Sequence, residues 1–365
     1  MGRLASAAVL RGRDQPFSIE EIELPALGHG QMLVRIAGVG VCHSDLLPRE
    51  GHLGDDLAIV LGHEGAGIVE ELGPGVTSVH TGDHVVLTFD SCGACANCHS
   101  GHPAYCDTFA IRNFIGVGLG DVPSATSRKG GTVATRWFGQ SSFADYVVVT
   151  TRNAVVIDRE LPLELAGPLG CSVTTGAATV ANVLGVGPRD SVAVLGAGSV
   201  GLAGVMMAAS SGAGRIVAVD LDHSRLELAG SFGATHQLGS AEAGELTESL
   251  LATGGPLSAV LDTTGNPRTI AAAVDALAPR GTCAVVGHQR EELVLGPRAL
   301  SGGKRVTAVY EGDVVPQVDI PRLASLWAQG KLPFDRLIET YALAAINDAE
   351  HDLESARVVK PILLP

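Results

Sequence analysis

The sequence predicts an α/β protein in which a doubly wound parallel sheet is joined to a β-rich domain. After residue 190, short apolar runs alternate with helical segments, and this alternation is typical of a parallel sheet with right-handed crossovers. The predicted strands of this half are SVAVLG (191–196), RIVAVD (215–220), LSAVLD (257–262) and TCAVVG (282–287). Residues 1–150 instead carry short apolar or alternating runs between glycine and proline turns, which indicates a separate β-rich domain.

Individual elements follow from the same patterns. In the first half, strands are predicted at 31–36, 84–89 and 145–150, and the segment 107–137, which has little periodicity, is predicted to be a long loop. We expect the last fifty residues to pack back onto the first domain. The predicted helices end at Ser211 after the first strand of the second half, and cover 222–232, 268–277 and 319–329.

Composition limits the classes of function. The chain has 365 residues, enough for two domains with separate cores, and a formal net charge of −14 without a basic cluster. This balance excludes a nucleic-acid partner, because binding a polyanion requires a concentrated positive surface. The sequence contains neither a signal-peptide core nor a run of about 18 uncharged apolar residues. We therefore expect a cytoplasmic protein, not associated with membranes, whose seven cysteines stay reduced.

Four of the cysteines, Cys92, Cys95, Cys98 and Cys106, lie in the stretch CGACANCHSGHPAYC. Disulfides between cysteines three residues apart would strain the backbone. Four thiolates instead surround one tetrahedral Zn²⁺ and leave no open coordination position. We predict a structural zinc site that takes no part in chemistry. An iron–sulfur cluster is the alternative that the spacing leaves open.

A glycine-rich turn, GAGSVG, follows the first strand of the second half and begins a helix. Gly196 permits the tight turn, Gly198 lets a pyrophosphate approach the backbone, and Gly201 lets helix and strand pack closely. The free N–H groups at the start of the helix favour the binding of a phosphate group there. In this context the motif predicts a dinucleotide site.

Asp220 ends the second strand of that half. A carboxylate there accepts hydrogen bonds from a ribose diol and repels a 2′-phosphate, which favours NAD over NADP. The alternative is an aspartate that only caps the following turn. Arg225, one turn into the next helix, either contacts the adenosine ribose or is a solvated surface charge.

Three further candidate metal ligands are separated in sequence: Cys42 in GVCHSD, His63 in GHEGAG and Cys171 in PLGCSVTTG. Each one alone is compatible with an ordinary buried residue. Together they offer two thiolates and one imidazole, a catalytic zinc set that leaves the fourth position for water or substrate.

Taken together, these segments resemble the zinc-dependent medium-chain alcohol dehydrogenases over essentially the whole chain. The matching segments are GVCHSD (40–45), GHEGAGIVEELGPGV (62–76), the four-cysteine lobe (92–106), GCSVTTG (170–176), VLGAGSVGL (194–202) and the acid at Asp220. The resemblance implies a GroES-like catalytic domain at 1–172 that carries the lobe, a Rossmann NAD-binding domain at 173–316, and a C-terminal segment at 317–365 that returns to the catalytic domain.

The resemblance also implies two zinc ions per chain. Cys42, His63 and Cys171 would bind the catalytic ion, and the four clustered cysteines would bind the structural one. Glu64 would lie beside the catalytic metal, and Asp45 would orient His63 by a hydrogen bond to the ring nitrogen that does not bind the metal.

Roles in the reaction and in cofactor binding follow from the same resemblance. The zinc would act as a Lewis acid on the alcohol oxygen, NAD would accept the hydride, and Ser44 would take the alcohol proton. Contacts to the pyrophosphate or to the nicotinamide ring are implied for His43, Lys360, Thr175, Val200 and Val286.

Two positions depart from the animal and plant branch of the family. Leu47 stands where a histidine would continue the proton relay, so the relay either ends at the ribose and solvent or uses another group. His43 stands where arginine is common. Because imidazole is mostly uncharged at neutral pH, we expect weaker binding of the pyrophosphate and faster release of NADH than in relatives with arginine.

The segments VCHSDL, FDSCGAC and FGQSSFADY look most like the bacterial aryl- and allyl-alcohol branch. This resemblance implies a primary aromatic or allylic alcohol as substrate. The long 107–137 segment is similar to that of the homodimeric branch rather than the tetrameric one. Two rivals remain: a glutathione-linked formaldehyde dehydrogenase, for which Arg112 is the visible cationic candidate, and a non-catalytic zinc-stabilised scaffold. The intact Cys42, His63 and Cys171 set argues against the scaffold.

Overall fold

The structure is a computed structural model that describes residues 2–51, 53, 57–117, 124–239 and 243–365. The chain forms two compact units. The first unit comprises Met1–Cys171, Val315–Ala328 and Phe334–Pro365, and the second comprises Ser172–Val314 and Gln329–Pro333.

The strands and helices of the described residues are as follows. The strands are β1 (Leu4–Leu10), β2 (Ser18–Glu23), β3 (Gln31–Gly40), β4 (Ile59–Val60), β5 (Glu64–Leu72), β6 (His84–Leu87), β7 (Ala125–Ser127), β8 (Thr132–Val133), β9 (Tyr146–Thr150), β10 (Ala154–Val156), β11 (Ser191–Leu195), β12 (Arg215–Asp220), β13 (His236–Gly239), β14 (Leu257–Asp262), β15 (Leu277–Val285), β16 (Arg305–Ala308), β17 (Ile338–Ala342) and β18 (Lys360–Leu364). The helices are α1 (Ala96–His99), α2 (Phe109–Asn113), α3 (Ser172–Ala178), α4 (Ser199–Ser210), α5 (His223–Ser231), α6 (Ala243–Ala252), α7 (Pro267–Asp275), α8 (Pro316–Ala328) and α9 (Ile346–Glu354).

The first unit contains two sheets. Their strand orders are β4-β1-β2-β7-β8 and β10-β6-β5-β3-β18-β17, and β9 also pairs with β3. The C-terminal strand β18 pairs with β3 so that Ile362 lies opposite Gly40. This register places the end of the chain beside the segment that leads into Cys42.

The second unit contains a parallel sheet with the strand order β13-β12-β11-β14-β15-β16. The central strands are continuous apolar runs because both of their faces are covered, and Ala193, Val217 and Val260 are fully buried. The predicted parallel α/β sheet is confirmed. Strands β12 and β14 have the predicted bounds, whereas β15 begins five residues before the predicted 282, at Leu277.

The prediction of one long loop over 107–137 is wrong in part. The segment contains α2, β7 and β8, and residues 118–123 lie outside the described part of the chain. Strands of two or three residues are too short for an alternation of apolar and polar residues to be recognised in the sequence. Strands β7 and β8 form because β7 pairs with both β2 and β8. Within the described residues, no helix is long and apolar enough to cross a membrane.

Candidate functional site

The backbone after β3 presents Cys42 at the start of a short 3₁₀ helix, His43–Glu50. Cys42 is extended, with φ −127° and ψ 151°. Its N–H donates to Oδ2 of Asp45 at 3.2 Å, and its carbonyl accepts from the N–H of Asp45 at 2.9 Å. This local turn fixes both residues from within one segment, so GVCHSD is a structural unit as well as a motif.

Four donor groups meet in the first unit. Single ligand atoms of Cys42, His63, Glu64 and Cys171 all lie within 4.8 Å of one another. Nε2 of His63 is 3.3 Å from Sγ of Cys171. The structure therefore brings together the three separated ligand candidates and the glutamate that the resemblance placed beside them.

The imidazole of His63 is oriented by a buried carboxylate. Its Nδ1 lies 2.7 Å from Oδ1 of Asp45, and neither side chain is exposed. When Asp45 accepts the Nδ1 proton, Nε2 keeps its lone pair for a metal. Oδ1 of Asp45 also accepts from the N–H of Gly62 at 3.1 Å and from Nε1 of Trp137 at 3.0 Å.

Sequence reasoning missed the aromatic turn that holds this pair. Phe138 stacks on the ring of His63, with centroids 4.3 Å apart and planes 24° from parallel, and its backbone has a φ of +49°. Gln140 Nε2 donates to the carbonyl of His63 at 2.8 Å. These residues, like Trp137, belong to the WFGQS stretch, most of which the sequence analysis used only as a sign of branch similarity.

Lys360 has a partner that the sequence analysis did not anticipate. Its Nζ lies 3.1 and 2.9 Å from the two carboxylate oxygens of Glu64 and 3.0 Å from the carbonyl of Val41, and the lysine is buried. Burial lowers the pKa of Lys360, and the negative charge of Glu64 raises it. The net effect is a raised pKa, so the ammonium group stays protonated. The predicted contact of Lys360 with a pyrophosphate stays a prediction.

The donor set fits a zinc ion. Two sulfurs and one imidazole nitrogen match a catalytic site with one position left open. The hydrogen bond with Cys171 lowers the pKa of the Cys42 thiol well below its ordinary value, and this effect outweighs burial, which raises it. The cluster thus favours the thiolate form that a metal requires.

The four-cysteine lobe also forms a cage. The sulfurs of Cys92, Cys95, Cys98 and Cys106 lie within 4.8 Å of one another, and all seven cysteines of the chain are free thiols. The N–H groups of Ala94 and Cys95 donate to Sγ of Cys92 at 3.3 and 3.2 Å. A backbone hydrogen bond from Asp107 is the main cause that lowers the pKa of Cys95 to about 6, whereas burial is the main cause that raises the pKa of Cys98 to about 12. Four convergent sulfurs with backbone donors suit a closed four-thiolate zinc site.

The glycine-rich turn has the geometry that its sequence predicts. Gly196 has a φ of +90°, and a Cβ there would lie 2.4 Å from Oγ1 of Thr263. A Cβ at Gly201 would lie 1.8 Å from the carbonyl oxygen of Gly196. Only glycine fits at these two positions. At Gly198 the space around a Cβ is open, and the nearest atom is Nη1 of Arg225 at 3.9 Å.

Asp220 contacts both the glycine turn and the turn after β12. Its Oδ2 accepts from the N–H of Ala197 at 2.5 Å, and its Oδ1 accepts from that of Asp222 at 2.9 Å. Arg225 lies over the turn, and its buried Nε has no hydrogen-bond partner among the described residues. A phosphate or ribose oxygen would satisfy this nitrogen. Hydrogen bonds of Asp220 and Arg225 to NAD stay predictions.

The other predicted residues lie on two separate units. His43 is exposed and Ser44 and Leu47 are half-buried on the turn after Cys42. In the second unit, Val286 follows β15. Thr175 lies on α3 and Val200 on α4, and these helices pack so closely that a Cβ at Gly176 would lie 1.9 Å from the carbonyl oxygen of Val200. The roles of all these residues stay predictions.

Comparison with known proteins gives two family matches. Residues 28–159 match the family described as alcohol dehydrogenase GroES-like domain, and residues 199–328 match the family described as zinc-binding dehydrogenase. Among curated proteins, a geraniol dehydrogenase of Castellaniella defragrans is 42% identical over 364 residues, which cover 99% of this chain and 97% of that protein.

Two solved structures are similar over nearly the whole chain. An alcohol dehydrogenase zinc-binding domain protein from Burkholderia ambifaria has a TM-score of 0.95 and 42% identity, with 100% of both chains covered. A benzyl alcohol dehydrogenase from Acinetobacter calcoaceticus has a TM-score of 0.91 and 38% identity, with 99% of both chains covered.

Proposed function

The chain belongs to the GroES-like, zinc-binding alcohol dehydrogenase family, and from this premise we propose that it oxidises primary allylic and benzylic alcohols to aldehydes with NAD⁺. The observation that carries the proposal is the convergence of Cys42, His63 and Cys171 on one point, with Asp45 behind the histidine. The substrate class is supported by similarity to a geraniol and a benzyl alcohol dehydrogenase. In both named alcohols the carbinol carbon is attached to an unsaturated or aromatic carbon.

The residues of the first unit hold and orient the reacting alcohol in this proposal. Bound zinc supplies a Lewis acid and NAD⁺ supplies the hydride acceptor. The two thiolates and Nε2 of His63 fix the metal, and Asp45 keeps the proton of His63 on Nδ1. Ser44, two residues after Cys42, would accept the alcohol proton and pass its own hydroxyl proton onward. Because position 47 is leucine, no imidazole there would continue the relay, which would end at the ribose and solvent or use another group.

Residues of the second unit bind the cofactor in this proposal. Gly196, Gly198 and Gly201 let the pyrophosphate lie on the start of α4, and Asp220 accepts from the ribose diol and so selects NAD. The remaining proposed contacts come from Thr175, Val200, Arg225 and Val286 of this unit, and from His43 and Lys360, which belong to the first unit. We retain 1–172, 173–316 and 317–365 as the proposed domain boundaries.

We propose further that the enzyme is a cytoplasmic homodimer. Support for the compartment comes from the arrangement of the cysteines, since the sulfurs of six of them converge in two clusters that suit metal ions rather than disulfides. Support for the dimer comes from the long 107–137 segment. Sedimentation equilibrium of the zinc-loaded protein tests the second part, and a tetramer would contradict it.

One observation weighs against the glutathione-linked rival. Arg112, the candidate for a glutathione carboxylate, already donates to Asp90 at 2.9 Å and to Thr108 at 2.9 Å. Its charge is therefore engaged with protein groups rather than directed to a substrate.

The test is NADH formation by the zinc-loaded protein with a panel of benzylic, allylic, aliphatic and polyol alcohols and with S-hydroxymethylglutathione. We expect turnover of the first two classes with NAD⁺ and loss of activity in Cys42→Ala. The matched control is Cys283→Ala, because Cys283 is a buried thiol outside both metal clusters. Preference for S-hydroxymethylglutathione, or unchanged activity in Cys42→Ala, would contradict the proposal.

A further inference from the structure

Asp90 is a buried carboxylate that lies between two arginines. Its Oδ2 accepts from Nη1 of Arg112 at 2.9 Å, and its Oδ1 lies 3.5 Å from Nε of Arg152. The N–H of Asp90 donates to Oδ1 of Asn113 at 2.9 Å, and Nδ2 of Asn113 donates to the carbonyl of Asp90 at 3.0 Å. Oδ2 therefore holds Arg112 by a charge-assisted hydrogen bond, whereas Oδ1 has no hydrogen-bond partner among the described residues and attracts Arg152 at ion-pair distance.

Arg112 reaches the C-terminal end of the four-cysteine lobe. Its Nε donates to Oγ1 of Thr108 at 2.9 Å, and that hydroxyl lies 3.4 Å from Sγ of Cys106. Since the hydroxyl oxygen accepts from Arg112, its own proton is available to the sulfur. The arginine thus acts on the last thiol of the lobe through a single hydroxyl.

Arg152 reaches the N-terminal end of the same lobe. Its Nε donates to the carbonyl of Ser91, the residue before Cys92, at 2.9 Å. Its Cδ lies 3.5 Å from where a Cβ of Gly93 would be. The N–H of Cys92 in turn donates to Sγ of Cys106 at 3.2 Å, so both ends of the lobe meet beside the two arginines.

The charges of this group and of the metal site are complementary. Four thiolates around one divalent zinc leave two negative charges in excess. Arg112 and Arg152 together exceed the charge of Asp90 by one positive charge, which is opposite in sign to the excess at the metal.

We propose that Asp90, Arg112 and Arg152 form a counter-charge group that offsets part of the negative charge of the four-thiolate zinc and clamps both ends of its loop. Asp90 attracts both arginines. Arg112 then contacts the C-terminal end of the loop, and Arg152 contacts its N-terminal end. The group sets how slowly the lobe releases its metal. This inference does not depend on the substrate or the direction of the proposed reaction.

The test measures metal release from the full chain loaded with ¹¹³Cd. The four-thiolate site and the mixed sulfur–nitrogen site give separate cadmium resonances, so each loss to excess chelator can be followed on its own. We expect the four-thiolate signal to be lost about tenfold faster in Arg112→Gln and in Arg152→Gln, because loss of a hydrogen-bond partner of a metal ligand lowers metal affinity by at least about this factor. The other resonance should decay at the wild-type rate.

Two variants separate charge from packing. Arg152→Lys keeps the positive charge and should release cadmium at close to the wild-type rate. Because the Arg152 side chain is 45% exposed, we expect both substitutions of Arg152 to leave the fold intact. Glu70→Gln breaks an exposed ion pair with Arg35 in the same unit and should change neither resonance. Wild-type release in both glutamine variants would overturn the proposal. Release from Arg152→Lys as fast as from Arg152→Gln would also overturn it, as would equal acceleration at both sites.

Discussion

The carboxylate of Asp45 lies 2.7 Å from Nδ1 of His63, and neither side chain reaches solvent. Oδ1 of Asp45 accepts from the imidazole, from a backbone N–H and from the indole of Trp137. One buried oxygen therefore determines which nitrogen of His63 is left for the metal.

Asp45→Asn should weaken zinc binding at the Cys42, His63 and Cys171 site by about 10–100-fold, because the amide no longer specifies the proton on Nδ1. The zinc content of the purified protein, measured against a graded chelator, and kcat/KM for benzyl alcohol would both fall. Asp83→Asn is the control, because the Asp83 carboxylate accepts a hydrogen bond from the backbone N–H of His80 at a surface turn away from the metal ligands. Full zinc occupancy in Asp45→Asn at every chelator concentration would contradict the expected role of the carboxylate.

Gly201→Ala should destabilise the second unit by about 3 kcal/mol, because the new Cβ would be forced against the carbonyl of Gly196. Thermal unfolding should begin at a lower temperature than in the wild type, and NAD⁺ binding, measured by quenching of protein fluorescence, should be lost. Gly296→Ala is a matched control, since nothing lies within 4 Å of its Cβ position. Equal stability of the two variants would show that α4 moves away from the turn at little cost.

Asp220→Asn should reduce discrimination against NADP⁺, because the repulsion of a 2′-phosphate disappears. The ratio of kcat/KM for NAD⁺ to that for NADP⁺ would fall by about tenfold, equivalent to about 1.4 kcal/mol. Asp222→Asn is the comparison, since its carboxylate caps α5 through the N–H of Ser224 at 2.8 Å. A ratio that falls equally in both variants would indicate a change in the turn rather than loss of the charge.

Acid should destabilise the protein partly through Glu20. This buried carboxylate accepts from Nε and Nη2 of Arg11 at 2.8 Å each and from the hydroxyls of Ser18 and Ser127 at 2.7 and 2.9 Å. The hydrogen bond from Arg11 is the main cause that holds the pKa of Glu20 well below its usual range. A lowered pKa contributes stability above the unfolded value of about 4.3, and this stability is lost as pH falls further.

Glu20→Gln should therefore cost about 2 kcal/mol at pH 7 and flatten the loss of stability below about pH 4. Urea unfolding at a series of pH values measures both effects. Glu70→Gln should change the free energy of unfolding by less than about 1 kcal/mol, because its ion pair with Arg35 is exposed. Parallel pH profiles for wild type and Glu20→Gln would contradict the assignment.

Local patterns were sufficient to predict several features of this protein. The parallel sheet follows from apolar runs such as those of β12 and β14. The glycine positions follow from backbone sterics, because φ at Gly196 and the closeness of Gly201 to that residue's carbonyl are properties of one turn. The four-cysteine lobe is likewise local, since all of its sulfurs come from fifteen consecutive residues.

Other features depend on contacts between distant segments, which a single sequence does not display. Lys360 meets Glu64 because β18 pairs with β3, and this pairing joins residues about 300 positions apart in the chain. Trp137 meets Asp45 across 92 positions. Burial decides the chemistry at these contacts, since it raises the pKa of Glu64 and leaves each buried charge dependent on its partner.

The sequence by itself therefore determined the fold class, the family and the candidate metal ligands, because the spacing of apolar residues and the order of short motifs are properties of the sequence alone. The tertiary structure decided which groups surround those ligands. Asp45, Trp137 and Phe138 converge on His63, and Asp90 joins Arg112 and Arg152, through packing of segments that are far apart in sequence. Such partners are selected by distance in space and by the cost of burying an unpaired charge.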